Sequence, residues 1–361
     1  MRTTDKMSKV LVTGGSGFIG TNLVDSLLAA GALVASIDTR DPQKVVHREV
    51  FRRVDALDRE ELARVFDEFK PTHVVHMAAQ TDLHRNSLRD YEINSVGVQC
   101  LIDALAACSS VARCLFVSSK LVCRTGYQPR SLEDYNPDTV YGQSKAGGEK
   151  IVRSSNSLEC EWLIARPTSI WGPWFGIPYK PFFLTVAKGF YFHPGTANPK
   201  KSYGYVGNVV FQIQKLLEAP REIVHGKTFY LSDYDSYTIR DWANTISLQV
   251  HGRTARTIPE SLLRVAAWGG TCLQKIGYKN PSMTSVRLRN MRADTTMGVS
   301  LEAMKEITGP LPYSMAEGVR QTIFWLREQG YISRSPSEER ETMLRCKPVR
   351  QEDESPREVA V

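Results

Sequence analysis

Residues 10–28, VLVTGGSGFIGTNLVDSLL, place a glycine-rich turn between a short β-branched run and a run with helical periodicity. Gly14 would permit the tight turn, Gly17 would let backbone N–H groups approach a pyrophosphate, and Gly20 would let the helix pack closely on the strand. The positive end of the helix dipole would add to the attraction for phosphate. The stretch therefore predicts a dinucleotide-binding site that also includes Phe18 and Ile19.

The chain beyond this turn alternates strand-like and helix-like segments, as in a parallel sheet with helices on both faces. The predicted strands are Val10 to Thr13, Leu33 to Asp38, His73 to Ala78, Cys114 to Ser118 and Trp162 to Arg166. The predicted helices between them are Gly17 to Ala30, Arg59 to Phe69, Leu88 to Ala107 and Tyr141 to Ser154. This repeated βαβ pattern predicts a doubly wound α/β fold of the Rossmann type.

The regular alternation ends in the aromatic stretch RPTSIWGPWFGIPYKPFF, residues 166–183. We therefore expect a flexible N-terminus at 1–8, a dinucleotide-binding domain at 9–170, and a smaller mixed α/β substrate region at 171–332 with segments that return to the sheet. Residues 333–361 mix both charges with proline and serine, which predicts a disordered tail. The aromatic residues would line a substrate pocket or bury the interface between the two domains.

Composition narrows the function classes. The 361 residues suggest about two domains, and 42% hydrophobic with 24% charged residues is ordinary for a globular chain. Seven scattered cysteines without a CxxC pair argue against disulfides or a metal site and favour a reducing, cytoplasmic location. No stretch is apolar and long enough to span a membrane. The net charge of +7 comes from dispersed basic residues, so we expect a phosphorylated small molecule, not nucleic acid.

Two carboxylates follow predicted strands on the cofactor side. Asp38 comes 18 residues after Gly20 and would accept hydrogen bonds from the adenosine ribose, which favours NAD because a carboxylate repels a 2′-phosphate. Arg40 keeps NADP as an alternative cofactor, since a guanidinium could pair with that phosphate. Asp55 would meet the adenine edge or serve as a helix N-cap.

A tyrosine and a lysine in YGQSK, Tyr141 and Lys145, are four residues apart and so project from one helix face. Ser118 and Ser119 end a predicted strand upstream, and ligands of such sheets bind at the carboxyl ends of strands. The ordered set TGGSGFIG, HMAAQTD, FVSS, YGQSK and RPTSIWGP resembles the extended short-chain dehydrogenase/reductase family, which includes NAD-dependent nucleotide-sugar epimerases and dehydratases. The resemblance covers the first half strongly and the remainder, up to about residue 330, more weakly.

The resemblance implies a role for each matching residue. Tyr141 would be the general base or acid, Lys145 would lower its pKa and hold the nicotinamide ribose, and Ser119 would hydrogen-bond the reacting oxygen, with Ser118 as its competitor. Ala78 and Ala79 would border the cofactor. Asn94 would order the active-site helix or serve as a buried structural amide.

The sequence also departs from its relatives. Family 4,6-dehydratases carry Asp and Glu after the catalytic Ser or Thr, whereas Lys120 and Leu121 stand here, so sugar dehydration is disfavoured. Ser169 replaces a diphosphate-binding Asn. Lys201 and Arg289 lie where relatives bind diphosphate, although both could be solvated surface charges.

We therefore expect an NAD-dependent oxidoreductase or epimerase that acts at a sugar hydroxyl, on a nucleotide-linked sugar. A dehydrogenase of the 3β-hydroxysteroid type and a non-catalytic dinucleotide sensor are the alternatives. The family further implies a homodimer formed through the long helices near residues 88–107 and 141–154.

Overall fold

The structure is a computed structural model that describes residues 8–196, 198–278, 284–285, 288 and 300–333. The expected flexible N-terminus and disordered tail lie outside the described residues, apart from Ser8 and Ser333.

A seven-stranded parallel sheet forms the centre of the molecule, with strand order β11-β6-β5-β4-β1-β2-β3. Its strands are β1 (Lys9–Thr13), β2 (Leu33–Asp38), β3 (Phe51–Arg53), β4 (His73–His76), β5 (Arg113–Val117), β6 (Glu161–Pro167) and β11 (Thr228–Leu231). The order reverses between β1 and β4, and ligands of open α/β sheets bind at such a switch point. The predicted Rossmann-type fold is confirmed.

Helices cover both faces of the sheet. They are α1 (Phe18–Ala29), α2 (Arg59–Phe69), α3 (Val96–Ala106), α4 (Val140–Ser154), α5 (Tyr179–Ala187), α6 (Val206–Glu218), α7 (Arg221–Val224), α8 (Ile239–His251), α9 (Glu260–Lys275), α10 (Glu302–Thr308) and α11 (Met315–Glu328). Helix α1 packs on α6, whereas α3 packs on α2 and α4. Among the described helices, none has the length and apolar character needed to cross a bilayer.

The predicted helix over Leu88 to Ala107 is wrong as a single element. A 3₁₀ helix at Leu88–Asn94 precedes α3, and the backbone departs from helical geometry at Tyr91 and Ser95. Asn94 explains the break, because its side chain bonds the backbone of Gln80 and the hydroxyl of Ser144 instead of facing solvent. A local hydrophobic pattern does not reveal such a tertiary contact.

The region after β6 contains three small two-stranded sheets. They pair β7 (Ser169–Trp171) with β10 (Tyr203–Tyr205), β9 (Lys200–Lys201) with β12 (Tyr237–Thr238), and β8 (Phe192–Pro194) with β13 (Arg256–Ile258). Aromatic rings fill the space between them and the helices. Trp171 lies 5.2 Å from Trp242 and 5.8 Å from Phe183, centroid to centroid, and all three are buried. These particular rings therefore pack a core.

Candidate active site

The glycine-rich turn between β1 and α1 is fixed by steric contacts. Gly14 has φ +74°, and a Cβ there would lie 2.6 Å from the backbone nitrogen of Ala78. A Cβ on Gly20 would collide with the carbonyl oxygen of Gly14, so α1 can approach the turn only without that atom. Gly17 precedes α1 and would place a Cβ 3.1 Å from the same oxygen. The turn thus brings the first backbone N–H groups of α1 to the end of β1.

Phe18 and Ile19 form the first turn of α1 and are half-buried. The Phe18 ring lies 6.3 Å from that of Phe175, between centroids. The Phe18 ring therefore packs the start of α1 against Phe175.

The end of β4 is tied to the turn through one side chain. The hydroxyl of Thr13 accepts hydrogen bonds from the backbone nitrogens of Met77 (3.2 Å) and Ala78 (3.1 Å), and it lies 2.8 Å from Nδ1 of His76. Burial lowers the pKa of His76 to about 3, and the charge of Lys145 acts in the same direction. His76 is therefore a neutral structural side chain beneath the site.

A cavity of about 440 Å³ opens beside the turn. Its walls include the predicted cofactor residues Gly14, Gly17, Asp38, Asp55, Ala78 and Ala79. Thr13, at the end of β1, also lines it. The cavity combines a glycine surface with a carboxylate wall, and both suit the adenosine half of a dinucleotide.

Asp38 and Asp55 have different local roles. The Asp38 carboxylate accepts hydrogen bonds from the backbone nitrogens of Ser16 (3.2 Å) and Arg40 (3.0 Å), which hold it in the cavity wall. The exposed Arg40 guanidinium lies 3.5 Å from it. Asp55 accepts from the backbone of Leu57, and the N-cap of α2 is Asp58, so the alternative that made Asp55 the helix cap is wrong.

Tyr141, Ser119 and Lys145 lie together beyond the carboxyl end of β5. Tyr141 and Lys145 occupy the first turns of α4, whose N-cap Thr139 accepts a hydrogen bond from the backbone nitrogen of Gly142. The Ser119 side chain lies beside the phenol of Tyr141, and its hydroxyl accepts a hydrogen bond from the backbone nitrogen of Leu121 at 3.1 Å. The Lys145 ammonium donates to the carbonyl oxygen of Val117 at 2.7 Å.

Burial dominates the protonation of this group. It raises the pKa of Tyr141, while the neighbouring Ser119 side chain lowers it. Burial also lowers the pKa of Lys145 to about 8, partly offset by Glu149. Lys145 was expected to lower the Tyr141 pKa, but its ammonium is turned to Val117 and the net shift of the phenol is upward.

Asn94 is nearly inaccessible and makes three hydrogen bonds within the chain. Its Oδ1 accepts from the Gln80 nitrogen, and its Nδ2 donates to the Gln80 oxygen and to the Ser144 hydroxyl. The side chain therefore joins the loop after β4 to α4, which corresponds to the structural alternative for this residue.

The predicted substrate residues lie at the start of the small sheets. Ser169 begins β7 and accepts a hydrogen bond from the Lys120 ammonium at 2.8 Å. Lys201 lies on β9, and its charge adds to the effect of burial, which is the main cause that lowers the pKa of Lys120. Arg289 falls outside the described residues. The sequence marked Lys120 only as a departure from the Asp of family dehydratases, because a long side chain next to a turn gives no indication of its direction.

Comparison with known proteins agrees with this geometry. Residues 10–232 match the model of the "NAD dependent epimerase/dehydratase family". A 3 beta-hydroxysteroid dehydrogenase/Delta 5-->4-isomerase of Mycobacterium tuberculosis (strain CDC 1551 / Oshkosh) is 26% identical over 67% of this chain and 70% of its own. The UDP-glucose 4-epimerase of Vibrio cholerae is 27% identical over 88% of this chain and 95% of its own.

The fold of this chain is also similar to that of solved structures. The UDP-glucose 4-epimerase of Thermus thermophilus, in complex with NAD, superposes with a TM-score of 0.65 at 24% identity, covering 88% of this chain and 99% of that one. The family match spans the glycine-rich turn, β5, α4 and β11. The chain is thus an enzyme of the NAD-dependent epimerase/dehydratase family, within the extended short-chain dehydrogenases/reductases.

Proposed function

We propose that this enzyme is an NAD-dependent oxidoreductase or epimerase that acts at a hydroxyl of a nucleotide-linked sugar. The observation that carries the proposal is the placement of the Ser119 side chain beside the phenol of Tyr141, with the buried Lys145 one helical turn further along α4. These side chains lie at the carboxyl ends of the parallel strands, where the glycine-rich turn also lies. An alcohol carbon and a dinucleotide would meet there.

Each side chain has a defined task in the proposed reaction. The Ser119 hydroxyl donates a hydrogen bond to the reacting oxygen, and the Tyr141 oxygen takes or returns the proton of the alcohol. Lys145, held by the carbonyl oxygen of Val117, would donate a hydrogen bond to a ribose hydroxyl of the dinucleotide. The chemistry that the nicotinamide supplies when bound is the acceptance and return of a hydride.

We propose NAD instead of NADP on the basis of Asp38. Its carboxylate is fixed in the cavity wall by two backbone N–H groups and would repel a 2′-phosphate. Gly14, Gly17 and the two alanines after β4 leave backbone surface for the pyrophosphate and adenosine. The Thermus thermophilus structure, which is a complex with NAD, supports this choice.

The choice of a nucleotide sugar draws support from two relatives named as UDP-glucose 4-epimerases. Ser169 and Lys201 would face the substrate, with Arg289 as a further phosphate contact. We also propose a homodimer that works in the cytoplasm, with α3 and α4 at the interface. Sedimentation at the monomer mass of 40.6 kDa would contradict the dimer.

The test starts with the protein purified without added cofactor. Denaturing it and identifying the released dinucleotide by chromatography separates an epimerase that retains NAD from a dehydrogenase that exchanges it. Tyr141→Phe should then lower turnover of the sugar by about 10²-fold or more while NAD affinity, measured by calorimetry, stays nearly the same. Tyr278→Phe, at an exposed tyrosine, is the matched control. Full activity of Tyr141→Phe would refute the assignment.

A second candidate is a dehydrogenase of the 3β-hydroxysteroid type. Helix α9 exposes an apolar face with Leu262 (61% exposed), Val265 (69%) and Trp268 (69%), which would suit delivery of an apolar substrate. The Mycobacterium tuberculosis relative supports this reading. Net reduction of NAD by a 3β-hydroxysteroid, without turnover of any nucleotide sugar, would favour it.

A further inference from the structure

Helix α9 has apolar side chains on two opposite faces. On one face, Leu263 and Ala267 are buried and pack with Leu288 and with the half-buried Ile258. This contact holds the helix on the rest of the chain. The opposite face carries large apolar side chains that are exposed, namely Leu262, Val265, Trp268, Leu273 and Ile276. Packing of the core therefore accounts for only one of the two apolar faces.

The exposed side chains form one stripe along the helix. At about 100° per residue, they fall within an arc of about 140° around the helix axis. Ser261, Gly269 and Cys272 are the other residues of α9 in this arc, so none of its residues there is charged. From Leu262 to Ile276 the stripe is about 21 Å long, at 1.5 Å per residue. A contiguous exposed apolar surface bordered by polar residues marks an interaction site.

The charges around the stripe have one predominant sign. Residues 253–278 contain four basic side chains, all exposed, and one acidic side chain, Glu260. The basic residues are Arg253, Arg256, Arg264 and Lys275. Glu260 forms an ion pair of 2.7 Å with Arg264, which leaves the segment with an excess of positive charge. By their positions on the helix, Arg264 and Lys275 border the stripe on the side of Trp268.

An apolar stripe with cations at its border matches the interface of a bilayer that has anionic headgroups. The apolar side chains would enter the outer acyl region, while the long stems of Arg264 and Lys275 let their charges remain among the phosphates. The amphipathic indole of Trp268 suits the boundary between the two layers. A second copy of the same face would fit less well, because it adds positive charge and no anion.

We propose that α9 docks this enzyme on a membrane surface that contains anionic phospholipid, with the stripe in the bilayer interface and the basic side chains at the headgroups. The helix lies along the surface and does not cross it, since its inner face stays packed on Ile258 and Leu288. Docking of this kind is reversible and depends on salt. It concerns where the enzyme is held and not which alcohol it oxidises, so it is independent of the proposed function.

The test is co-sedimentation of the full chain with sucrose-loaded vesicles, which measures a partition coefficient and needs no substrate. One set of vesicles contains equal parts of phosphatidylglycerol and phosphatidylcholine, and the other contains phosphatidylcholine alone. We expect a partition coefficient about tenfold higher or more with the anionic set, because each basic residue near such a surface contributes about fivefold. Added sodium chloride should reduce this difference, since salt screens the headgroup charge.

Two variants connect the binding to the stripe. Trp268→Glu places a negative charge within it and should lower partitioning into the anionic vesicles by about tenfold or more. Phe324→Glu, at an aromatic residue of α11 that is 61% exposed, is the matched control and should bind nearly as the wild type does. Both replaced side chains are exposed, so thermal melts of the two variants should resemble that of the wild type.

Four results would overturn the proposal. They are no binding to the anionic vesicles, equal binding to both sets, unchanged binding of Trp268→Glu, and an equal loss in Phe324→Glu. Velocity sedimentation without lipid tests the second copy as the occupant of the stripe. An oligomer that Trp268→Glu dissociates and Phe324→Glu retains would assign the stripe to contact between copies, and would also overturn the proposal.

Discussion

Replacing Arg166 by methionine would break the most deeply buried ion pair described in the chain. Arg166 on β6 and Glu149 on α4 are 1% and 2% exposed and form two parallel hydrogen bonds of 2.8 and 2.7 Å. The guanidinium also donates to the Tyr230 hydroxyl (2.9 Å) and the Leu132 carbonyl (2.6 Å). Methionine keeps most of the apolar stem. Among the described contacts, it leaves the Glu149 carboxylate one hydrogen bond, from the hydroxyl of Tyr135.

The cost follows from these contacts. Each charge-assisted hydrogen bond contributes about 1.5–3 kcal/mol, so the two bonds to the carboxylate together give about 3–6 kcal/mol. Loss of one partner from a buried pair generally costs about 3–5 kcal/mol, because the other charge stays buried. We therefore expect Arg166→Met to lower the free energy of unfolding by about 4 kcal/mol.

Urea-induced unfolding followed by far-ultraviolet circular dichroism measures this loss. Adding Glu149→Gln to Arg166→Met removes the unpaired charge and should restore at least about half of it. Lys215→Met, which breaks the exposed pair with Glu218, should cost less than about 1 kcal/mol. A loss below about 1 kcal/mol in Arg166→Met, or a double variant no more stable than the single one, would refute the reasoning.

Further predictions concern the cofactor turn and the buried lysine. Asp38→Asn should reduce the preference for NAD over NADP by about tenfold, measured as the ratio of two dissociation constants; an unchanged ratio would remove Asp38 from cofactor selection. Gly14→Ala should destabilise the chain and abolish NAD binding, because its Cβ meets Ala78, whereas Gly31→Ala, at a similar φ in open space, should lose only the cost of the backbone strain, about 1 kcal/mol. Thermal melts compare these two variants. The pKa of Lys120 is about 8 in the fold and higher when unfolded, so the unfolded chain binds more protons between these values and wild-type stability rises with pH there. Relative to Lys120→Met, the wild type should therefore gain about 1 kcal/mol or more between about pH 7 and about pH 9.5, and a constant difference in melting would contradict the shift.

The fold was predictable because its signals are local. Steric contacts require glycine at two positions of the turn: a Cβ on Gly14 would meet the backbone of Ala78, and a Cβ on Gly20 would meet the carbonyl of Gly14. The buried strands contain short apolar runs, such as VLV in β1 and CLFV in β5, as parallel sheets require when both faces are covered. The Tyr141 and Lys145 pair was equally visible, because four residues along a helix fix a common face.

The rest depends on contacts between distant segments. The break in the helix predicted at Leu88 to Ala107 comes from Asn94, whose partners are 14 and 50 residues away in sequence. The short strands β7 to β10 have two or three residues each and pair with distant segments, so no periodicity develops. The inward direction of Lys120 depends on Ser169, 49 residues later.

Three contacts along its length fix the position of helix α4. Gly142 packs against the backbone of Leu121, Ser144 is bonded by Asn94, and Glu149 is clamped by Arg166. Lys120 belongs to the same one-turn helix as Leu121, but its side chain, like that of Ser169, makes none of these three contacts. We therefore expect substitutions of the side chains at 120 and 169 to leave the position of α4, and with it that of Tyr141 and Lys145, unchanged.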